Sequence, residues 1–420
     1  MTVHSSPRFP GLSPAERERR HTLVRDLLGR LDLDGLLVFG DDRNPIDNWL
    51  TNDRTGSVVV FPRDGEMTCL VWSTQVIAAH ILATERGEDS WVTDMRRGMG
   101  GAAIVEVLKE KHLAKGRLGV LGVGAANNKE ADGRVPYKRW HGIVTALPDV
   151  EFHSMEEDLY PLLAMKSDEE LALVRRSAEV GEIASQAMMD VTRPGVGEHE
   201  IYAAANAAIL REGGYLAMRT TILQCGSRNP AWGPPNYLYR SQEPYVVQVG
   251  DVVMAELFPV IGMIETQQQM SIAVGELSPE HKRLEELCLA SSAAGLDVLR
   301  TAGATFGQLV DAMERPIRET EGAWSITPMI HTVNPLYYTG NAAIGIEDHL
   351  PGIDRYRNVT GVRMSDAHAG LTIRPGMCFA FEPNALFGSA RINIGGTVVA
   401  TDGEPLVLNR LANQVNVVPA

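Results

Sequence analysis

Residues Gly250–Ser271 read GDVVMAELFPVIGMIETQQQMS. Behind a Gly-Asp turn, Val252 to Leu257 form a β-branched and apolar run that predicts a buried strand, with one acid, Glu256, inside it. A second strand is expected from Met263 to Met270, after Pro259 and Gly262, and its polar members are Thr266, Gln267, Gln268 and Gln269. An acid within a buried strand is costly unless it is paired, protonated or bound to something. The hairpin therefore predicts the floor of a polar site, with a salt-bridged structural Glu as the competing reading.

Outward from this hairpin, 420 residues suffice for about two to three domains with a large core. A formal charge of -14, spread along the chain, argues against nucleic acid as a partner, because phosphate affinity comes from clustered Lys and Arg. The cysteines Cys69, Cys225, Cys288 and Cys378 have no CxxC spacing and read as reduced core thiols. The start, MTVHSSPRFPGLSPAERERRH, reads as flexible and lacks the apolar core of a signal peptide. No apolar run approaches the ~18–20 residues of a membrane span. A cytoplasmic chain without membrane contact is expected.

Ser13-Pro14 caps a helix that runs to about Leu31. Gly35–Phe39 predicts a strand, and Ser57–Phe61 with Met67–Trp72 a hairpin on an Arg63-Asp64-Gly65 turn. Helices near Gln75–Glu85 and Gly101–Lys111 and strands at Leu118–Leu121 and Val150–His153 complete an α/β domain over residues 1–160. Gly122-Val123-Gly124-Ala125 lacks the third glycine and downstream acid of a dinucleotide loop and reads as a plain turn. Ser167-Asp168-Glu169-Glu170 is a capping box opening a helix to about Val191, within a second domain over residues 161–420.

That second domain contains an echo. Thr192-Arg193-Pro194-Gly195 and Arg300-Thr301-Ala302-Gly303 each precede an amphipathic helix and then a β-rich segment, Thr220–Met270 and Ile326–Val399. Gly195 and Gly303, Ile201 and Leu309, and Gly214 and Gly322 each lie 108 positions apart. Two α-plus-β halves about a pseudo-twofold, with a site between them, fit this better than a solenoid.

The layout resembles the creatinase/prolidase family, the M24 peptidase-like "pita-bread" proteins. The resemblance covers essentially the whole chain. It rests on KSDEE at Lys166, RPGVGEHE at Arg193, GD(x4)E at Gly250, IGIEDH at Ile344, RPGMCFAFEPN at Arg374 and GGTVVATDGE at Gly395. It implies an α/β N-terminal domain, an α+β pita-bread domain of two pseudo-symmetric halves, and a homodimer. The peptidase branch holds two metals through five side chains, whose positions fall here on Glu256, Thr266, Ala342, Glu382 and Gly395. Ala and Gly offer no donor atom, and two carboxylates cannot bridge a metal pair. The expectation is a metal-site-degenerate member with no metal and no cofactor.

The creatinase branch offers a metal-free precedent in which histidine moves a proton and glutamates hold a cationic group. The matching histidine is His349, and Glu382 matches one glutamate; the second falls on Gln268, and a further active-site histidine on Arg228. These departures make creatinase itself a poor match. From the residues, His349 is the expected proton carrier. Glu256 and Glu382 are expected to orient a cationic or amide group, and Arg228 to clamp a carboxylate. Gln267 and Gln268 alternate faces, so one points in; Trp232 walls the pocket, and His331, Tyr337 and Tyr338 line it. The expected function is metal-independent hydrolysis of a non-peptide C–N bond in a small amino-acid-like molecule. An Xaa-Pro-type metallopeptidase, a C–N or C–O lyase and a catalytically silent binding protein are the alternatives.

Overall fold

The computed structural model describes residues 9–41, 45–124, 135–216, 221–357 and 359–420. The start up to Arg8, Ala125 of the glycine turn and Thr220 at the head of the first β-rich segment lie outside them. The chain separates into two compact units, Gly11–Leu163 and Ala164–Ala420, with residues 9–10 grouped with the second.

In the first unit, β1 (Gly35–Phe39), β2 (Val58–Pro62), β3 (Thr68–Val71), β4 (Asp94–Arg97), β5 (Gly116–Leu121) and β6 (Val150–Ser154) form one mixed sheet. Its order is β4-β3-β2-β1-β5-β6. The β2–β3 hairpin is antiparallel, with Val59 opposite Cys69, whereas β1, β5 and β6 run parallel. Helices Gly101–Glu110 and Tyr137–Ala146 supply Ile104, Leu108 and Ile143 to a core with Leu37, Val60 and Val120. Ser13 caps helix Pro14–Arg30 by accepting from the Glu16 amide at 3.2 Å. The amides of Gly122 and Gly124 both donate to Oε1 of Glu156, at 3.1 and 3.2 Å. A carboxylate of the chain itself thus fills the turn that resembles a phosphate loop.

In the second unit the capping box forms: Ser167 Oγ accepts from the Glu170 amide and Glu170 Oε2 from the Ser167 amide. Helix Asp168–Val191 packs on helix Glu198–Arg211, and helix Pro279–Leu299 on Phe306–Arg318, one pair in each half. Gly195 and Gly303 both take positive φ, and Ile201 and Leu309 are both fully buried. The third echo is displaced by one position, since Gly213 rather than Gly214 shares the positive φ of Gly322.

One four-stranded sheet has β8 (Ile222–Cys225), β9 (Val252–Leu257), β12 (Gln268–Val274) and β20 (Val415–Val418), in the order β20-β12-β9-β8. A second has β14 (Ile330–Thr332), β15 (Cys378–Phe381), β18 (Thr397–Val399) and β19 (Leu406–Val407), with neighbours antiparallel. Two three-stranded sheets accompany them: β7 (Tyr215–Leu216) with β10 (Pro259–Ile261) and β11 (Ile264–Glu265), and β13 (Ala323–Trp324) with β16 (Asn384–Phe387) and β17 (Ala390–Asn393). The Gly-Asp turn before β9 is held by Asp251, whose carboxylate accepts from the Ser227 and Gln248 amides and the Tyr245 hydroxyl.

Alternation sorts the polar hairpin onto two faces. Thr266 donates to Ser177 Oγ at 3.0 Å, and Gln268 donates to the Gly181 carbonyl and Ser185 Oγ on helix Asp168–Val191. Gln268 also accepts from Asn409 Nδ2 at 2.5 Å. A Cβ at Gly181 would overlap the Gln268 amide and push it from this position. Gln268→Leu deprives Ser185 Oγ of its donor and Asn409 Nδ2 of one of its two acceptors, the Ala178 carbonyl being the other, so about 1–3 kcal/mol of stability should be lost. Urea denaturation measures this, with the activity of the folded fraction unchanged within about threefold.

Candidate active site

Glu256 lies on β9, opposite Gln269 of β12, so the two side chains share a face. His331 lies on β14, opposite Ala380 of β15, and Glu382 follows at the end of that strand. The Glu382 backbone is held on both sides: its amide donates to the Met329 carbonyl at 2.8 Å, and its carbonyl accepts from Asn384 Nδ2 at 2.9 Å. This is what the Glu-Pro-Asn sequence accomplishes locally.

His331 Nε2 lies 2.9 Å from Glu382 Oε1, and Nδ1 lies 2.9 Å from the Thr332 carbonyl. A carbonyl only accepts, so Nδ1 carries a hydrogen and donates. The contact at Nε2 then holds one further proton, as imidazolium with carboxylate or as imidazole with carboxylic acid. Ligating atoms of Glu256, His331 and Glu382 all lie within 4.8 Å of one another, and all three side chains are buried.

Arg391 on β17 completes the charged group. It is 1 % exposed. Its guanidinium carbon sits 4.1 Å over the Trp232 ring, and Nη1 donates to the Pro230 and Ala231 carbonyls, both at 3.3 Å. Asn229 and Gln224 pin this loop by hydrogen bonds to Ala231, Cys225, Gly233 and each other. Burial pulls the guanidinium down to about 9, opposed chiefly by the negative charge of Glu256 and by that of Glu382, so it stays charged at neutral pH. Two residues on, Asn393 Nδ2 donates to Gln269 Oε1 at 3.3 Å.

Several expected placements are corrected. His349 is exposed, on the one-turn helix Ile346–His349. The chain leaves β14, returns at Thr339 to pair with His331, and only then reaches Gly345, so the histidine beyond that motif is carried off the sheet. His331, expected only to line the pocket, is the imidazole that meets the acids. Arg228 is 62 % exposed and pairs with Glu280 at 2.8 Å, because its loop turns it toward helix Pro279–Leu299. Gln268 faces the helix described above. Gln267 lies in the link between β11 and β12, and its Nε2 donates to Glu265 Oε1 at 2.5 Å. Tyr337 and Tyr338 are buried and pack against His368 in tilted and edge-on contacts, with ring centroids 5.0 and 4.9 Å away.

The metal positions are also relocated. On β12 the side chain next to Glu256 belongs to Gln269, and Thr266 points into the helix layer. Gly395 has φ +115°, and a Cβ there would overlap the Phe381 carbonyl oxygen, so no side chain can stand at that position. Among the described residues three donors remain, Glu256, His331 and Glu382, beside the Arg391 cation. That set does not fit a two-metal centre, which needs bridging carboxylates for both ions.

Sequence reasoning missed Arg391, Gln269 and Asn393 as parts of one polar face. The signal was the same as for Glu256: a charged residue inside an otherwise apolar strand, here Ala390-Arg391-Ile392-Asn393-Ile394.

These features define an enzyme of the two-half pita-bread architecture. Residues 172–402 match metallopeptidase family M24, more than half of the chain, and the protein belongs to that family. It is 24% identical over 393 residues to the creatinase of Bacillus sp. (strain B-0618), covering 92% of this chain and 87% of that one. The X-Pro aminopeptidase of Thermotoga maritima MSB8 superposes with a TM-score of 0.70 at 17% identity, over 95% of this chain and 99% of that one. The Xaa-Pro dipeptidase of Bacillus anthracis does so with a TM-score of 0.67 at 16% identity, over 96% and 100%. At these identities the solved structures speak for the fold.

Glu382→Gln can donate an amide N–H to His331 Nε2 in place of the shared proton, so its stability should stay within about 1 kcal/mol of the parent. Glu382→Ala leaves that nitrogen unmatched and should cost about 2–3 kcal/mol, as read by thermal unfolding of the two variants side by side.

Proposed function

We propose that this protein hydrolyses a non-peptide C–N bond in a small amino-acid-like molecule without a metal ion, with the His331–Glu382 pair as proton carrier. The observation that carries this is the 2.9 Å contact between two buried groups that hold one proton between them, with Glu256 close by. The shared proton passes to the departing nitrogen as the C–N bond breaks. Attacking water bonds to the substrate carbon through its oxygen and returns a proton to the pair, so the carrier ends as it began. Glu256 and Glu382 orient the cationic or amide end of the substrate, and Trp232 walls the site. The similarity to a creatinase over 92% of this chain and 87% of that one supports this reading. The enzyme works as a homodimer in the cytoplasm, a setting that suits four buried, unlinked thiols.

The test is a screen of N-substituted amino acids and ureido and guanidino acids for amine, ammonia or urea release. On the substrate it finds, His331→Ala and Glu382→Gln should each lower kcat by about 10²–10⁴-fold. His349→Ala should stay within about threefold. Full activity of His331→Ala would refute the assignment. Heavy-oxygen label from water must enter the product; its absence indicates a lyase instead. Turnover by none of the panel, with binding kept in His331→Ala, indicates a silent binding protein.

A second reading, a metallopeptidase using one divalent cation, draws on the mutual 4.8 Å approach of the Glu256, His331 and Glu382 donor atoms. Elemental analysis of protein purified without chelator decides between them. The metal-free reading expects substoichiometric metal and activity that survives EDTA dialysis, and an Xaa-Pro dipeptidase activity restored by added Mn²⁺ or Zn²⁺ would overturn it.

A further inference from the structure

Arginine presents two edges able to grip a planar anion, and on Arg391 they are used differently. Nη1 is committed to the Pro230 and Ala231 carbonyls. Nε and Nη2, which together form one two-pronged edge, are buried and have no hydrogen-bond partner among the described residues. The same holds for Gln269 Nε2 and Asn393 Oδ1, the free ends of an amide pair already joined at 3.3 Å. Arg391 and Asn393 share a face of β17 by alternation, and Gln269 shares its face with Glu256 across β9 and β12. Buried polar atoms are normally matched, and an open guanidinium edge under an aromatic ring is an expensive thing to keep without a ligand.

We infer that the Nε–Nη2 edge of Arg391, under Trp232 and flanked by the Gln269–Asn393 amide pair, is a carboxylate-binding subsite, so that the ligand is a small zwitterion. Its carboxylate takes two parallel N–H bonds from Arg391, with the Gln269 amide as a third donor. Its cationic end faces Glu256 and Glu382. This deepens the proposed function and rests on it for the cationic half only. The carboxylate half stands on Arg391 alone, in the role that the sequence assigned to Arg228.

The experiment is a binding titration that requires no turnover. The probes are guanidinoacetate, 3-guanidinopropionate and 4-guanidinobutyrate, each paired with its primary carboxamide, against the full-length protein at millimolar concentration. At least one acid should bind about tenfold or more tightly than its amide. Arg391→Lys keeps the charge but loses the two-pronged edge, so it should abolish that preference while leaving affinity for the amide within about twofold. Arg228→Ala should retain the preference. Acid and amide binding alike to the parent protein, no probe binding it, or an unchanged preference in Arg391→Lys would each overturn the subsite. If Arg391→Lys fails to fold, Gln269→Leu takes its place and should reduce the acid preference about threefold or more without affecting the amide. Catalysis enters none of these readings: acids that bind selectively and are never cleaved would refute the hydrolase and leave the subsite standing.

Discussion

Burying charge away from water is the constraint on which the proposed active site depends. Glu256, Glu382, His331 and Arg391 are each no more than 5 % exposed, and each sits on or beside a strand of an apolar sheet. Isolated ions in such a place cost several kcal/mol apiece, so they persist only as a mutually compensating set. With the shared proton on the imidazole, two carboxylates face two cations and the group is neutral. Moving that proton to Glu382 leaves one carboxylate and one guanidinium, neutral again. The proton can therefore shift across the 2.9 Å contact without changing the net charge of the group.

The same balance bears on the metal question. A divalent ion would have to displace the proton at His331 Nε2 and accept the repulsion of a guanidinium within the field of the same two carboxylates. The neighbouring geometry does not help. Gly395 admits no side chain, Thr266 is turned into the helix layer, and the groups beside Glu256 are amides, which bring no negative charge to bridge two ions. On the proposed reading, the strands preserve the family's scaffold while exchanging the electrostatics at its centre. The fold records ancestry, and the site must be read separately.

Much of the scaffold was legible because it is written in local rules. Capping boxes at Ser167, proline-started helices, the Gly-Asp turn and the positive-φ glycines at 195 and 303 each follow from one or two residues. Glu256 and Glu382 were legible for a related reason, as acids where an apolar strand predicts none. What the sequence concealed was register. A slip of one residue exchanges the faces of a strand, so Gln268 rather than its neighbours reached the helix. An extra excursion between His331 and Gly345 separated the glycine motif from the imidazole that the acids use. Arg228 and Arg391 looked equivalent as arginines in a sequence; only the ion pair to Glu280 and the stack on Trp232 divide them into surface and site.

That division bears on the unmatched buried polar atoms that gather on Arg391, Gln269 and Asn393. In strands that serve only the fold, amides are used up: Gln268 bonds to the helix and to Asn409, and Asn384 to the loop before His331. On the opposite face, Arg391, Gln269 and Asn393 have bonds that orient them and atoms left over. Orientation without saturation is what preorganised recognition requires, since groups already held in place lose little entropy when a ligand arrives. On the proposed reading, a neutral, internally balanced site also selects its ligand by charge. A molecule with one charge would unbalance it, whereas one with separated opposite charges meets complementary groups at both ends.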